Sequence, residues 1–251
     1  MQLMKRLSLV LLAVFMATSS LAQERPRIVA VNHALQYMAE RLAGDTAEVL
    51  FPVPEGVDPS FWRPSISDIS TVQSADLILL NGAGFATWID RVSLSRSRIV
   101  NTSSAIADRF IATQSITHSH GDGGEHSHEG LASYLWLDPE LAAEQATAIA
   151  NAMTKRDLAP EAEVQDRLDA LHAELSELDS ELRDTLADAQ DIVFIATHPR
   201  YQYFAQAYEL EIVSLEWEAG ATPDDSQMSA LSALTQKQGA KILIWEAEPT
   251  S

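Results

Sequence analysis

Val164, Leu168, Leu171, Leu175, Leu178, Leu182 and Leu186 recur every three or four residues, and Asp, Glu, Gln and Arg fill the positions between them. That period puts all seven on one stripe of an α-helix. The run predicts a helix over 160–189. Its seam of about three heptads suits a coiled coil, and a single stiff helix packed along two domains fits equally well. His172 on the same run is expected to be a solvated bystander.

Short apolar runs alternate with helical segments on both sides of this stripe. Arg27 to Asn32 reads as a buried strand, His33 to Leu42 as a helix and Ala47 to Val53 as a second strand. A proline-rich turn follows, and Ser67 is read as the cap of a short helix ending at Gln73. Leu77 to Asn81 and Arg98 to Asn101 are two further strands. Asp138 caps a helix that opens on Pro139 and ends near Met153. Beyond the long helix, strands are expected at Asp191 to Thr197, Glu211 to Glu216 and Lys241 to Trp245, with helices at Tyr201 to Tyr208 and Ser226 to Gln238. The pattern predicts an α/β fold of two lobes, each a mainly parallel sheet flanked by helices, joined by one long rigid helix. The lobes are expected at 23–159 and 190–251. Ligands of such sheets sit beyond the carboxyl ends of the strands, so the cleft is expected between the lobes.

The chain opens with Lys5 and Arg6, an apolar run from Leu7 to Ala17 and the small residues Ser19-Ser20-Leu21-Ala22. This is the pattern of a signal peptide, with cleavage expected near Ala22 and export to a periplasm. The run is too short for a permanent membrane helix. Cysteine is absent, which excludes disulfides and thiolate ligands and argues against a lipid anchor at the new N-terminus. A soluble, unanchored monomer is expected. The formal net charge is −19, and it grows more negative when Lys5 and Arg6 leave. Such a field disfavours nucleic acid and anionic membranes and draws cations.

Four of the seven histidines, His118, His120, His126 and His128, fall between Thr117 and Gly130 among glycines and acids. Imidazole is the commonest protein ligand for zinc-like metals, and the stretch is read as a polar, metal-gathering loop at 117–130.

Four ordered motifs surround that loop: Gly56-Val-Asp-Pro-Ser-Phe-Trp-Arg-Pro64, Ala75-Asp-Leu-Ile-Leu-Leu-Asn-Gly82, Trp136-Leu-Asp-Pro139 and Thr197-His-Pro-Arg-Tyr-Gln-Tyr-Phe204. In order and spacing they resemble the zinc and manganese ABC-transporter substrate-binding proteins over nearly the whole mature chain. The resemblance implies a periplasmic receptor that captures Zn²⁺, or Mn²⁺ or another divalent transition metal, and hands it to a membrane permease. It implies no enzymatic activity. The family holds its metal by one histidine in each of three motifs. Here Ser60 and Trp62 replace the histidine and tyrosine of the first motif, Tyr134 replaces the second histidine, and His198 alone is retained. The family chain also runs on past a strand like the last one here, so the second lobe reads as short.

Replacement ligands are therefore expected from His33, just after the first strand, and from the loop, where His126 and His128 lie nearest the Tyr134 motif. Glu216, Glu218 and Glu246, near the ends of the later strands, offer carboxylates. Three other readings remain open. In one, Ser60, Trp62, Tyr134, Tyr201 and Tyr203 line a cleft for a non-metal or chelated ligand. In another the loop alone buffers zinc. In the third, His118-Ser-His120-Gly-Asp122 opens a zinc hydrolase site, although that pattern needs a histidine where Gly123 stands.

Overall fold

The apolar runs form two separate parallel sheets. The computed structural model describes residues 25–119, 125–217 and 221–247, with the backbone only at 114–119 and 125–129. Strands β1 (Arg27–Ala30), β2 (Glu48–Leu50), β3 (Leu77–Leu80) and β4 (Ile99–Asn101) make a four-stranded sheet in the order β2-β1-β3-β4. All its pairings are parallel, with Ile28 opposite both Val49 and Leu77. Ile28, Val29, Leu77 and Leu79 are fully buried. An unbroken apolar strand is what a parallel sheet covered on both faces requires.

Helix α1 (His33–Ala43) follows β1, and the Asn32 side chain caps it by accepting from the Leu35 amide at 2.8 Å. Helix α2 is Ile66–Ser74, and its cap is Ser65 rather than Ser67. Asp68 decides this, because it sits three residues on from Ser65 and accepts from the Ser65 amide at 2.8 Å, closing a capping box. Helix α3 (Pro139–Thr154) is capped by Asp138, whose carboxylate accepts from the Glu140 and Leu141 amides.

In its described residues, 112–119 and 125–131, the histidine-rich stretch is not the loop expected. Its backbone forms an antiparallel hairpin of β5 (Ala112–Ser119) and β6 (Glu125–Leu131). His118 is the register partner of His126, and His128 of Ile116. Reading the tract by composition hid its alternation: His-Ser-His repeats with the period of two that a strand uses. His120 lies outside the described residues.

Helix α4 (Glu161–Leu186) carries the leucine stripe, and the stripe is divided between two cores. Val164, Leu168 and Leu171 are buried in the first lobe with residues of α1 and α3, and Leu175 borders them. Leu182 and Leu186 pack instead on Phe194, Tyr208 and Leu210 of the second lobe. Leu178, between the two groups, is 44% exposed. This division identifies a linking helix and sets the coiled coil aside. His172 is no bystander: its Nε2 lies 3.1 Å from both the Thr147 hydroxyl and the Ala143 carbonyl, which ties α4 to α3.

The second sheet contains β7 (Val193–Ala196), β8 (Glu211–Ser214) and β9 (Ile242–Ile244), all parallel in the order β8-β7-β9. Helix α5 (Gln202–Ala207) follows β7, and α6 (Asp225–Gln238) precedes β9. A third apolar cluster joins the lobes: Tyr203 of α5 is buried among Ala83, Ile106, Ala132, Leu135 and Leu141 of the first lobe. Tyr203 therefore packs between the lobes and does not line a cleft.

Candidate functional site

The residues just past the three strands of the second sheet converge. The Thr197 amide donates to the Ile244 carbonyl, the Trp217 amide to the Thr197 carbonyl, and the Glu246 amide to the Thr197 hydroxyl. These bonds hold His198, Trp217 and Glu246 side by side at the carboxyl end of the sheet, facing the first lobe. His198 is buried, and its Nδ1 lies 2.9 Å from the Trp217 carbonyl oxygen. A carbonyl only accepts, so Nδ1 carries the ring proton and the lone pair resides on Nε2, the tautomer of a metal-ligating imidazole.

Arg200, two residues on, reaches across to the first lobe. Its Nη2 is 2.6 Å from Asp58 Oδ2, and its Nε is 2.5 Å from Glu246 Oε1. The guanidinium carbon stands 4.7 Å from the centre of the Tyr134 ring, a cation–π distance. The other Asp58 oxygen accepts from the Ser60 amide at 2.8 Å and from the Ser60 hydroxyl at 2.6 Å. Glu246 Oε2 is 4.0 Å from His198 Nδ1 and is buried without a hydrogen-bond partner.

One positive group thus faces two carboxylates in a largely buried seam. Burial pushes the Asp58 carboxyl up, but the Arg200 charge and the two Ser60 hydrogen bonds outweigh it and hold Asp58 below its ordinary value. Burial wins at Glu246, which lies above its ordinary value despite Arg200. Burial also holds the Tyr134 phenol well above its usual range, so this side chain is neutral. Arg200 loses some charge preference to burial, yet Tyr134, Asp58 and Glu246 more than restore it.

Of the residues singled out in the sequence, His198, Ser60, Tyr134 and Glu246 meet here. Tyr201 is half-buried beside them, its hydroxyl pushed up first by burial and then by the Glu246 charge. Trp62 does not line the cleft; it is buried in the first lobe's core, edge-on to Trp88 at 5.3 Å. His33 is exposed, its ring 4.1 Å from Phe51 and its Nδ1 3.0 Å from Gln36. Asn32 takes the inward capping role next to it, which leaves His33 on the outer side of the first turn. Glu216 is exposed, and Glu218 lies outside the described residues. Among the described residues, no three His, Asp or Glu side chains are grouped closely enough to hold one metal ion. Asp58 and Arg200 were not singled out, although both stand inside the quoted motifs.

Two parallel α/β lobes, one helix seated in both, and a buried polar cluster where strand ends meet define a two-lobed substrate-binding protein. Residues 28–251 match the family model for the periplasmic zinc-uptake complex component A, ZnuA, and the chain belongs to that family. The family serves metal transport and is not one of enzymes, which removes the hydrolase reading. The chain is 26% identical over 231 residues to the high-affinity zinc uptake system protein ZnuA of Bacillus subtilis (strain 168), covering 89% of this chain and 71% of the relative. It is 27% identical over 247 residues to the zinc-binding lipoprotein AdcA of Streptococcus pneumoniae (strain ATCC BAA-255 / R6), covering 93% of this chain and 48% of AdcA. The chain therefore spans about half the length of AdcA. The crystal structure of the metal-dependent lipoprotein YcdH from Bacillus subtilis superposes with a TM-score of 0.74 at 22% identity, covering 90% of this chain and 81% of YcdH. No helix among the described residues is long and apolar enough to cross a membrane.

Proposed function

We propose that this chain captures Zn²⁺ outside the cytoplasm and delivers it to the membrane permease of an ABC importer. Family membership and the names of the relatives support this reading. The observation that carries it is His198: a buried imidazole at a strand end, its tautomer fixed by the Trp217 carbonyl, beside Glu246 at a lobe seam that Arg200 links to Asp58. His198 Nε2 would supply the nitrogen ligand, and Glu246 and Asp58 the oxygens. Ser60 and Tyr134 stand where the family's other histidines belong and keep neutral oxygens at the seam. Zinc accepts such a mixed set, and a harder ion such as Mn²⁺ suits oxygen donors further. The histidines of the polar stretch, His118, His120, His126 and His128, would gather metal for the seam, with His33 as an outlying surface ligand. In this reading the leader is removed near Ala22 on export, the body runs as lobes 23–159 and 190–251 about the helix at 160–189, and the product is an unanchored periplasmic monomer.

Calorimetric titration of the purified, untagged chain with ZnCl₂ tests the assignment. His198→Ala is expected to weaken the tightest site at least about a hundredfold, since one lost ligand removes several kcal/mol of coordination. An unchanged affinity would overturn the seam as the metal site.

A further inference from the structure

We infer that Arg200 is a tethered cation that competes with the incoming metal for Asp58 and Glu246, so that loading requires its guanidinium to leave the seam. The inference rests on the zinc-capture reading of the same site. Three observations lead to it.

The first is position. The guanidinium contacts Asp58 of one lobe and Glu246 of the other, and lies over the Tyr134 ring. It thereby fills the place among the anionic and π-rich groups of the seam that a bound cation would seek. His198, whose Nε2 is the remaining nitrogen donor, is two residues away on the same segment, and its protonated Nδ1 edge is 4.0 Å from the carboxylate that Arg200 holds.

The second is charge. Two carboxylates balance one divalent ion. With Arg200 still in place the seam would carry a net positive charge in a region where the arginine side chain is only 17% exposed and Glu246 15%. An unbalanced buried charge is strongly unfavourable, so metal and guanidinium exclude each other.

The third is grouping. Arg200 splays its fork between Asp58 and Glu246, and among the described residues no trio of His, Asp or Glu side chains is drawn together around a metal-sized point. Withdrawing the guanidinium releases Glu246 Oε1 and Asp58 Oδ2 for a metal, while Asp58 Oδ1 stays on Ser60. Arg200 sits between β7 and α5, outside either element, and its backbone amide bonds to the nearby His198 carbonyl at 3.0 Å. The long side chain can rotate outward without moving a strand or a helix. The same competition lowers the affinity for free metal and speeds its release when the guanidinium returns, which suits a protein that must surrender its cargo.

The experiment is a ZnCl₂ titration of wild type, Arg200→Met and Arg200→Lys, with folding checked by circular dichroism. Arg200→Met is expected to bind zinc at least about tenfold more tightly, a change within the range measured for close charge pairs. Should the methionine variant fail to fold, Arg200→Lys is read in its place. Its point charge cannot bridge both carboxylates, so it too is expected to bind more tightly than wild type. In Arg200→Ala, millimolar methylguanidinium is expected to weaken zinc binding competitively, with no effect on wild type. Equal or weaker zinc binding in the folded arginine variants, the behaviour of a guanidinium that helps to hold the ligand, overturns the competition alone. Absence of methylguanidinium competition in Arg200→Ala overturns it as well. Zinc binding by Arg200→Met with none by wild type supports the competition and removes capture by the natural chain; binding by neither overturns both.

Discussion

The Tyr203 hydroxyl, carried by the second lobe, donates to the Ala132 carbonyl of the first at 3.0 Å, and the Ile111 amide donates to the same hydroxyl at 3.3 Å. Tyr203 is 1% exposed, so its bond to Ala132 is shielded from water, and the Ile111 bond lies at the edge of the same contact. Tyr203→Phe keeps the ring, strands the buried Ala132 carbonyl and removes the partner of the half-buried Ile111 amide. It is expected to lower the unfolding free energy by about 1–3 kcal/mol in urea titration. Tyr203→Ala adds a cavity between the lobes and is expected to cost about 3–5 kcal/mol. A phenylalanine variant as stable as wild type would show that the ring alone joins the lobes.

Asp138 gives a pH-dependent prediction whose sign follows from its surroundings. Burial lifts its carboxyl above the ordinary value, and the Glu140 and Leu141 amides and Arg109 only partly offset this. A carboxyl raised in the folded state binds its proton more tightly there than in the unfolded chain. Its protonation therefore favours the fold as pH falls, and the charged form weighs against the fold once pH has risen through the folded value. Asn keeps the capping acceptor without the charge. Asp138→Asn is expected to equal or exceed wild type in thermal stability at pH 7, and the gap is expected to close as pH drops through the carboxylate range. A variant that is less stable at pH 7 would show that the charged cap is worth more than its burial costs.

The leucine stripe makes a graded prediction. Leu171→Ala, in the first core, is expected to cost about 2–5 kcal/mol. Leu178→Ala, between the cores and 44% exposed, is expected to change stability by about 0.5 kcal/mol or less. Urea unfolding of the two variants checks this, and equal costs would mean that the stripe is covered along its whole length.

Much of this architecture can be read from the chain because it is dictated locally. Unbroken apolar runs such as Leu77 to Leu80 read as doubly covered strands, and the pair Asp138-Pro139 marks a helix start by its own chemistry. The hairpin was hidden because its residues are polar on both sides of the alternation, so no buried face advertised it. At the seam, His198, Ser60, Tyr134 and Glu246 were visible as motif positions or strand ends. Arg200 and Asp58 also stand in those motifs, but their pairing was not legible, since they lie 142 residues apart and each looks in isolation like an ordinary solvated charge. Trp62 and Tyr203 misled in the opposite direction: an aromatic near a ligand motif resembles a pocket wall until packing assigns it to a core.

Helix α4 is anchored at its first turns in one core and at its last turns in the other, with no interruption between. A continuous rod fixed at both ends resists bending like a hinge, which disfavours closure of the two bodies on their cargo as jaws. Entry and exit of an ion are then matters of side-chain rearrangement at the mouth, and the scattering envelopes of the empty and loaded protein are expected to be nearly superimposable.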